Sequence, residues 1–199
     1  MIAEQISKKQ LVPLAAMFAA IYGTLRLVPI SLMIGGSGRV FTATEFFSPL
    51  LGVMLGPYAG SVATVIGTFL GITLTGRMNF FGLDFLPGMM NALVLGLLVR
   101  RRPLLSVALY SSLLVLFFAH PSTLHFMSVP LLSGRIEIPF VWLHLVVWIV
   151  LASPLSRRSV EWMFQGTMSK TVCGACVLSL IGTTAQQLTG TLLFASMAV

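Results

Sequence analysis

Few residues of this chain could carry chemistry, because its 199 residues include only 5 acidic side chains and 3 histidines. Most of these groups fall in three short stretches, residues 39–45, 77–84 and 120–137, that separate long apolar runs. Ionisable groups at the edge of apolar segments are costly unless they pair with one another or face a polar cavity. We therefore predict a binding site for a small polar solute, with aromatic residues supplying its apolar walls. The candidate ligand-binding residues are Arg39, Glu45, Arg77, Asn79, Asp84, Asn91, His120, His125, Arg135, Glu137, Trp142 and His144.

For any one of these residues, solvation in a loop or an internal ion pair remains an alternative to ligand contact. Asn91 and His144, together with Gln186 and Gln187, lie within apolar runs and are expected to face the interior of a helix bundle. There each could also hold two helices together by a hydrogen bond.

The sequence favours neither an enzyme nor a metal protein, and we predict no catalytic residue, no metal and no cofactor. It has no His-Glu-x-x-His, Gly-x-Ser-x-Gly or phosphate-loop motif, and His120 and His125 are five residues apart, off a single helical face. Cys173 and Cys176 form a lone Cys-x-x-Cys without other ligands nearby, so we interpret them as small packing residues. Active transport driven by ATP would therefore need a partner that hydrolyses the ATP.

The composition predicts an integral membrane protein. Hydrophobic residues make up 57% of the chain and charged residues only 9%, whereas soluble domains carry about 25% charged residues. Spans of roughly 20 apolar residues each leave room for six or seven helices and little else. The net charge of +7 sits in clusters at the ends of apolar runs, which indicates membrane topology and no nucleic-acid partner.

We predict an all-α, polytopic helix bundle in one transmembrane domain, residues 1–199. It has a core at 10–158 and an extra C-terminal segment at 160–199. Residues 122–137 are too few to span and too apolar for a solvated loop, so we expect them to fold partly back into the bundle. The six core helices are predicted at 11–34, 44–55, 57–75, 83–99, 103–119 and 138–155, followed by an amphipathic piece at 160–170 and an apolar run at 171–199. That last run is either a seventh span or the sign of a chain cut short before another helix.

Three basic clusters, Lys8–Lys9, Arg100–Arg102 and Arg157–Arg158, fall on the same side when the spans are counted. Basic clusters mark the cytoplasmic side, so we predict a multi-pass protein of the plasma membrane with a cytoplasmic N-terminus. The three polar stretches then lie at the outer end. Arg26 is placed to reach the outer interface with its long side chain.

Small residues mark two close-packing surfaces. Glycines recur from Gly52 to Gly71 around a Gly56-Pro57 turn, and Gly60, Thr64, Gly67 and Gly71 share one helical face. In the first helix, a second stripe comprises Ala15, Ala16, Ala19, Ala20 and Gly23. Such stripes let another helix approach closely. This second stripe packs either on the chain's own helices or on another membrane subunit.

Residues 10–103 resemble the substrate-binding S-components of energy-coupling factor (ECF) transporters. The resemblance rests on the run Ala15–Ala20, on Leu51–Gly60, on Phe81–Gly88 followed by Asn91-Ala92, and on the arginine triplet. It implies a six-helix bundle that captures a small organic micronutrient, a vitamin or a precursor, outside the cell. It also implies docking through the alanine stripe onto a transmembrane coupling subunit that carries two ATPases.

By the same resemblance, residues 35–41, residues 76–82 and the region after the fifth helix would close over the ligand. The seventh apolar run has no place in the six-helix scheme. The metal-transporting members begin with a Met-His pair, whereas this chain begins Met1-Ile2-Ala3, which disfavours a metal substrate. An intramembrane hydrolase or transferase using the polar cluster, and a membrane assembly protein, remain the alternatives.

Overall fold

The computed structural model describes residues 8–32, 40–121, 123, 126–131, 134–139 and 141–197 of the chain. Within these ranges it contains eight helices and two short antiparallel ribbons. The helices are α1 (Lys8–Leu25), α2 (Thr44–Leu55), α3 (Pro57–Thr75), α4 (Phe85–Val99), α5 (Pro103–Ala119), α6 (Trp142–Ala152), α7 (Pro154–Gln165) and α8 (Met168–Met197). The ribbons pair β1 (Pro29–Leu32) with β2 (Val40–Thr42), and β3 (Phe126–Leu131) with β4 (Gly134–Pro139). The predicted helical class is therefore confirmed for the bundle.

The four helices α2 to α5 lie within two residues of their predicted bounds, whereas the first and sixth predicted helices were too long. The first ends at Leu25 and not at residue 34, because Pro29 has no N–H to donate and disfavours a helical residue before it. The sixth begins at Trp142 and not at residue 138, which belongs to β4. It ends before Pro154, which opens α7.

The ribbons connect helices at one end of the bundle. The β1–β2 ribbon lies between α1 and α2, and the Ala43 N–H donates to the Val28 carbonyl over 3.0 Å. The β3–β4 ribbon occupies most of the stretch predicted to fold partly back, with Ser128 opposite Glu137 and Pro130 opposite Arg135. We call this the ribbon end. The opposite end, where α4 stops at Arg100–Arg102, we call the arginine end.

The predicted glycine face of α3 is buried, and it lets α1 and α2 approach its backbone. Gly60, Thr64, Gly67 and Gly71 are all buried. A Cβ on Gly67 would lie 2.6 Å from the Ala19 carbonyl oxygen of α1. The turn before α3 requires glycine, because Gly56 has φ +82 and a Cβ there would lie 2.9 Å from Arg100 Nε. The tight hairpin predicted at this turn is thus present.

The C-terminal helix α8 packs within the core of the bundle. Its residues Leu178, Ile181, Ala185 and Leu188 are buried in one apolar cluster with side chains of α4, α5 and α6. A second cluster joins α1, α2 and the neighbouring faces of α3 and α4. The helix α4 packs against α2, α3, α5 and α8, so it is the central helix of the fold.

Large apolar side chains also cover the outside of the helices. Exposed examples are Val12 on α1, Phe46 on α2, Ile66 on α3, Val115 on α5 and Ile149 on α6, each more than half exposed. By length and composition, α3 and α8 are long and apolar enough to cross a membrane. The other apolar helices among the described residues are shorter.

Candidate solute-binding site at the ribbon end

Asp84 organises the loop between α3 and α4 and ties it to the end of α1. Its carboxylate accepts the backbone N–H groups of Asn79 at 2.8 Å and Phe80 at 2.9 Å. Arg26, just beyond α1, donates to the same carboxylate, and it also donates to the Arg77 carbonyl over 3.3 Å. The Asp84 side chain is 2% exposed and that of Arg26 is 11% exposed. We call these contacts the Asp84 lock.

A second network joins α2, α8 and α4. Gln186 Nε2 donates to Glu45 Oε2, and Asn91 Nδ2 donates to Gln186 Oε1 over 2.8 Å. Asn91 is fully buried and Gln186 is 4% exposed. Asn91 lies six residues into α4, which is about 9 Å along the helix axis. We call this chain of hydrogen bonds the Glu45 network.

The Glu45 network contains one buried acceptor that no described residue satisfies. Asn91 Oδ1 is buried and has no hydrogen-bond partner among the described residues. Both amide donors that the network uses already point toward an oxygen, and Glu45 contributes oxygens only. A buried acceptor without a partner costs about 1–3 kcal/mol.

Hydroxyl groups extend the polar surface beside Glu45. Ser48 Oγ donates to the Tyr22 hydroxyl over 3.2 Å, and the hydroxyls of Thr42 and Thr44 lie 2.6 Å apart. Arg26 lies close enough to Glu45 for their charges to interact. The two networks therefore form one polar region at the ribbon end of the bundle.

The α5–α6 pair carries a separate group of predicted site residues. His144 is fully buried and stacks on Phe117, with ring centroids 5.6 Å apart. Its carbonyl oxygen accepts the Tyr110 hydroxyl over 3.3 Å. Trp142 is 48% exposed at the start of α6, and His120 is half-buried where α5 ends. These side chains border the α5–α6 part of the core and not the Glu45 network.

The structure thus divides the predicted candidates into groups. Arg77, Asn79 and Asp84 meet in the Asp84 lock, while Glu45 and Asn91 meet through Gln186. The candidates Arg135 and Glu137 lie on β4, and Arg39 and His125 lie outside the described residues.

Sequence reasoning missed two members of the polar region. Arg26 was interpreted as an interfacial anchor, but it is the ion-pair partner of Asp84. Gln186 was expected to face the interior, which is confirmed, although it was not chosen as a site residue. Its neighbour Gln187 is exposed, so the expectation of an interior position was wrong for that residue. A polar amide in a long apolar run was the available signal for Gln186.

The predicted partner stripe on α1 splits between two faces. Ala19 and Gly23 are buried against α3, which leaves little of their surface for another subunit. Ala16 and Ala20 are exposed, and Ala15 is half-buried. Only the Ala16–Ala20 face is therefore open to another subunit.

The possible metal ligands and the two cysteines were also located in the described part of the chain. Among the described residues, no group of three or more His, Cys, Asp or Glu side chains could hold a metal ion. Cys173 and Cys176 are free and exposed on α8, so they do not pack inside the described bundle. The polar region of the ribbon end is consequently the main chemical feature of the described bundle interior.

The chain matches no protein-family model, no curated protein and no solved structure. The functional argument therefore rests on the residues and their geometry.

Proposed function

We propose that this protein is the substrate-binding subunit of an ECF-type importer. In this proposal it captures a small organic micronutrient, a vitamin or a precursor, on the outer face of the plasma membrane. A transmembrane coupling subunit and two ATPases then drive delivery to the cytoplasm. The observation that carries the proposal is the Glu45 network, a polar chain inside an apolar bundle that leaves the buried acceptor Asn91 Oδ1 without a described partner.

The network also suggests the chemistry of the solute. Glu45 supplies carboxyl oxygens, while Asn91 Oδ1 supplies a buried acceptor that no described residue fills. A complementary solute carries amine, amide or hydroxyl donors and an apolar ring or chain for the surrounding walls. Anionic solutes without donors fit this region poorly.

Charge and exposure support a membrane setting with the ribbon end outside. Large apolar side chains cover the outer faces of several helices, and exposed apolar surface of this kind marks contact with lipid or another protein. The arginine triplet and the pair Arg157–Arg158 favour a cytoplasmic position for the arginine end under the positive-inside rule. The N-terminus of α1 lies at the same end, so the proposal includes a cytoplasmic N-terminus.

The coupling subunit would dock on the exposed face of α1. Ala16 and Ala20 are one helical turn apart and exposed, so a partner helix can approach the α1 backbone closely there. The sequence contains no phosphate-loop motif, which is why ATP hydrolysis is assigned to the partners.

A binding panel tests the solute part of the proposal. The purified full-length protein in detergent is heated with each of a set of vitamins and precursors. We expect one donor-bearing compound to raise the unfolding midpoint, because a ligand at 100 times its Kd stabilises by about 2.7 kcal/mol. Glu45→Gln should reduce this shift, whereas Gln187→Ala, at an exposed position nearby on α8, should keep it. Failure of every compound would contradict the proposal, and chemical conversion of the bound compound would favour the enzyme alternative.

Co-purification tests the partner part. Ala16→Trp combined with Ala20→Trp should abolish recovery of the coupling subunit and ATPases, because two bulky rings would separate the helix backbones. The matched control is Val62→Trp with Ile66→Trp, an exposed pair with the same spacing on α3. Equal recovery with both double variants would rule out the Ala16–Ala20 face as the docking surface.

A further inference from the structure

A cavity of about 690 Å³ opens at the arginine end, far from the Glu45 network. It lies between the end of α4, the beginning of α5 and the helix α7. Three arginines line it, namely Arg101, Arg102 and Arg157, together with Glu161. The lining therefore carries three positive charges and one negative charge.

The three arginines have no counterpart within the described structure. No ion pair or side-chain hydrogen bond involves Arg101, Arg102 or Arg157 in the part of the chain that the structure describes. Three like charges beside one cavity repel one another, and a bound anion would offset this repulsion. Their planar donor sets match the oxygens of a phosphate group, to which arginine binds in bidentate fashion.

The remaining walls are apolar and open toward the outside of the bundle. Leu98 and Val160 are buried behind the cavity, while Leu104 is 80% exposed and Leu105 is 51% exposed at its mouth. Further along α5, Val115 and Leu116 are also exposed. From Leu104 to Val115 the helix extends about 16 Å, so a largely apolar track leads from the cavity along the outer surface of α5. Ser112, an exposed residue on this track, donates its hydroxyl to the Ala108 carbonyl.

We infer that this cavity binds an anionic phospholipid, with its phosphate on Arg101, Arg102 and Arg157 and an acyl chain along α5. The juxtaposition of three unpaired guanidinium groups with an apolar track fits a lipid better than a soluble phosphate, which would use no apolar track. It also fits a lipid better than an acidic partner helix, since the track runs along the helix toward the middle of the bundle. The inference rests on the membrane setting of the proposed function but not on transport.

Lipid binding can be measured on the purified full-length protein by native mass spectrometry and by thermal unfolding. Phosphatidylglycerol should remain bound and raise the unfolding midpoint, whereas phosphatidylcholine should do neither. The variant Arg101→Gln, Arg102→Gln, Arg157→Gln should bind phosphatidylglycerol about tenfold more weakly or worse, because each basic contact contributes to binding an anionic headgroup. The matched control, Lys9→Gln, Arg158→Gln, Lys170→Gln, removes the same charge from the same end outside the cavity and should retain binding.

An additional variant and an additional ligand distinguish a lipid headgroup from a soluble anion. They also provide a result that does not depend on the folding of the triple variant. Leu104→Gln changes an exposed residue of the apolar track and should also weaken phosphatidylglycerol binding. Stabilisation by inorganic phosphate alone, lost in the cavity variant, would overturn the lipid in favour of a soluble anion. If the cavity variant and its control lose phosphatidylglycerol binding equally, the binding depends on general surface charge. That result would overturn the proposed lipid site in the cavity. If phosphatidylglycerol has no effect and the cavity variant loses the coupling subunit, the cavity is a protein interface.

Discussion

The two ends of the bundle use similar polar side chains in opposite ways. At the ribbon end, Arg26 and Asp84 are almost completely buried and bind each other. At the arginine end, Arg101 and Arg157 are exposed and make no ion pair with a described residue. The difference shows that the surroundings of a charge, and not its residue type, determine its role in this fold.

Physical chemistry explains the contrast. A charge inside an apolar bundle must be paired, because removing it from water costs several kcal/mol. A charge at the end of a helix keeps water or lipid headgroups as partners, so its own pairing contributes about 0–1 kcal/mol at most. The ribbon end therefore depends on its internal pairs for stability, while the arginine end remains free to bind external anions.

The largest expected effect comes from breaking the Asp84 lock. Asp84→Ala removes the acceptor of two backbone N–H groups and leaves Arg26 buried without its carboxylate. Loss of one partner of a buried pair costs about 3–5 kcal/mol. The unfolding midpoint of the purified protein in detergent, or its resistance to proteolysis, measures this loss.

The control for Asp84→Ala is Arg157→Ala at the other end. Arg157 is exposed, and such surface substitutions usually change stability by less than about 0.5 kcal/mol. Comparable losses in both variants would contradict the contrast between the ends.

A smaller loss of stability is expected when the hydrogen bonds of the Glu45 network are removed. Gln186→Leu leaves Asn91 Nδ2 and Glu45 Oε2 without the hydrogen bonds that Gln186 provides. Each unsatisfied buried group costs about 1–3 kcal/mol. Gln187→Leu makes the same change at an exposed position and should be nearly neutral in the same unfolding assay. Equal stability of the two variants would mean that the network contributes nothing to the fold.

Local sequence signals predicted much of the bundle. Pro57 and Pro103 at the first helical turns, and Gly56 between α2 and α3, set the bounds of α2, α3 and α5 through fixed backbone preferences. The end of α1 was predicted too late because apolarity continued past the turn at Arg26. Hydropathy indicates whether a segment prefers lipid or water, but it does not locate the end of a helix. The end of α1 is set by Pro29, which restricts the backbone.

The candidate site was only partly predictable, because its contacts join distant parts of the chain. Arg26 and Asp84 are 58 residues apart, and Glu45 and Gln186 are 141 residues apart. Spacing along one helix carries no information about such pairs. The polar and ionisable residue types predicted a site at this end of the bundle. Only the packing of α8 against α4 shows that Gln186 joins Glu45 to Asn91.

These separations also dictate an order of events during biosynthesis. Glu45 leaves the ribosome 141 residues before Gln186, a delay of about 7–28 s at 5–20 residues per second. Until α8 is made, the Glu45 carboxylate must remain hydrated, held by another protein, or kept at the edge of the membrane. Completion of the polar interior therefore waits until α8 has been synthesised. An interrupted chain would expose an unmatched carboxylate that the cell's quality-control proteases could recognise.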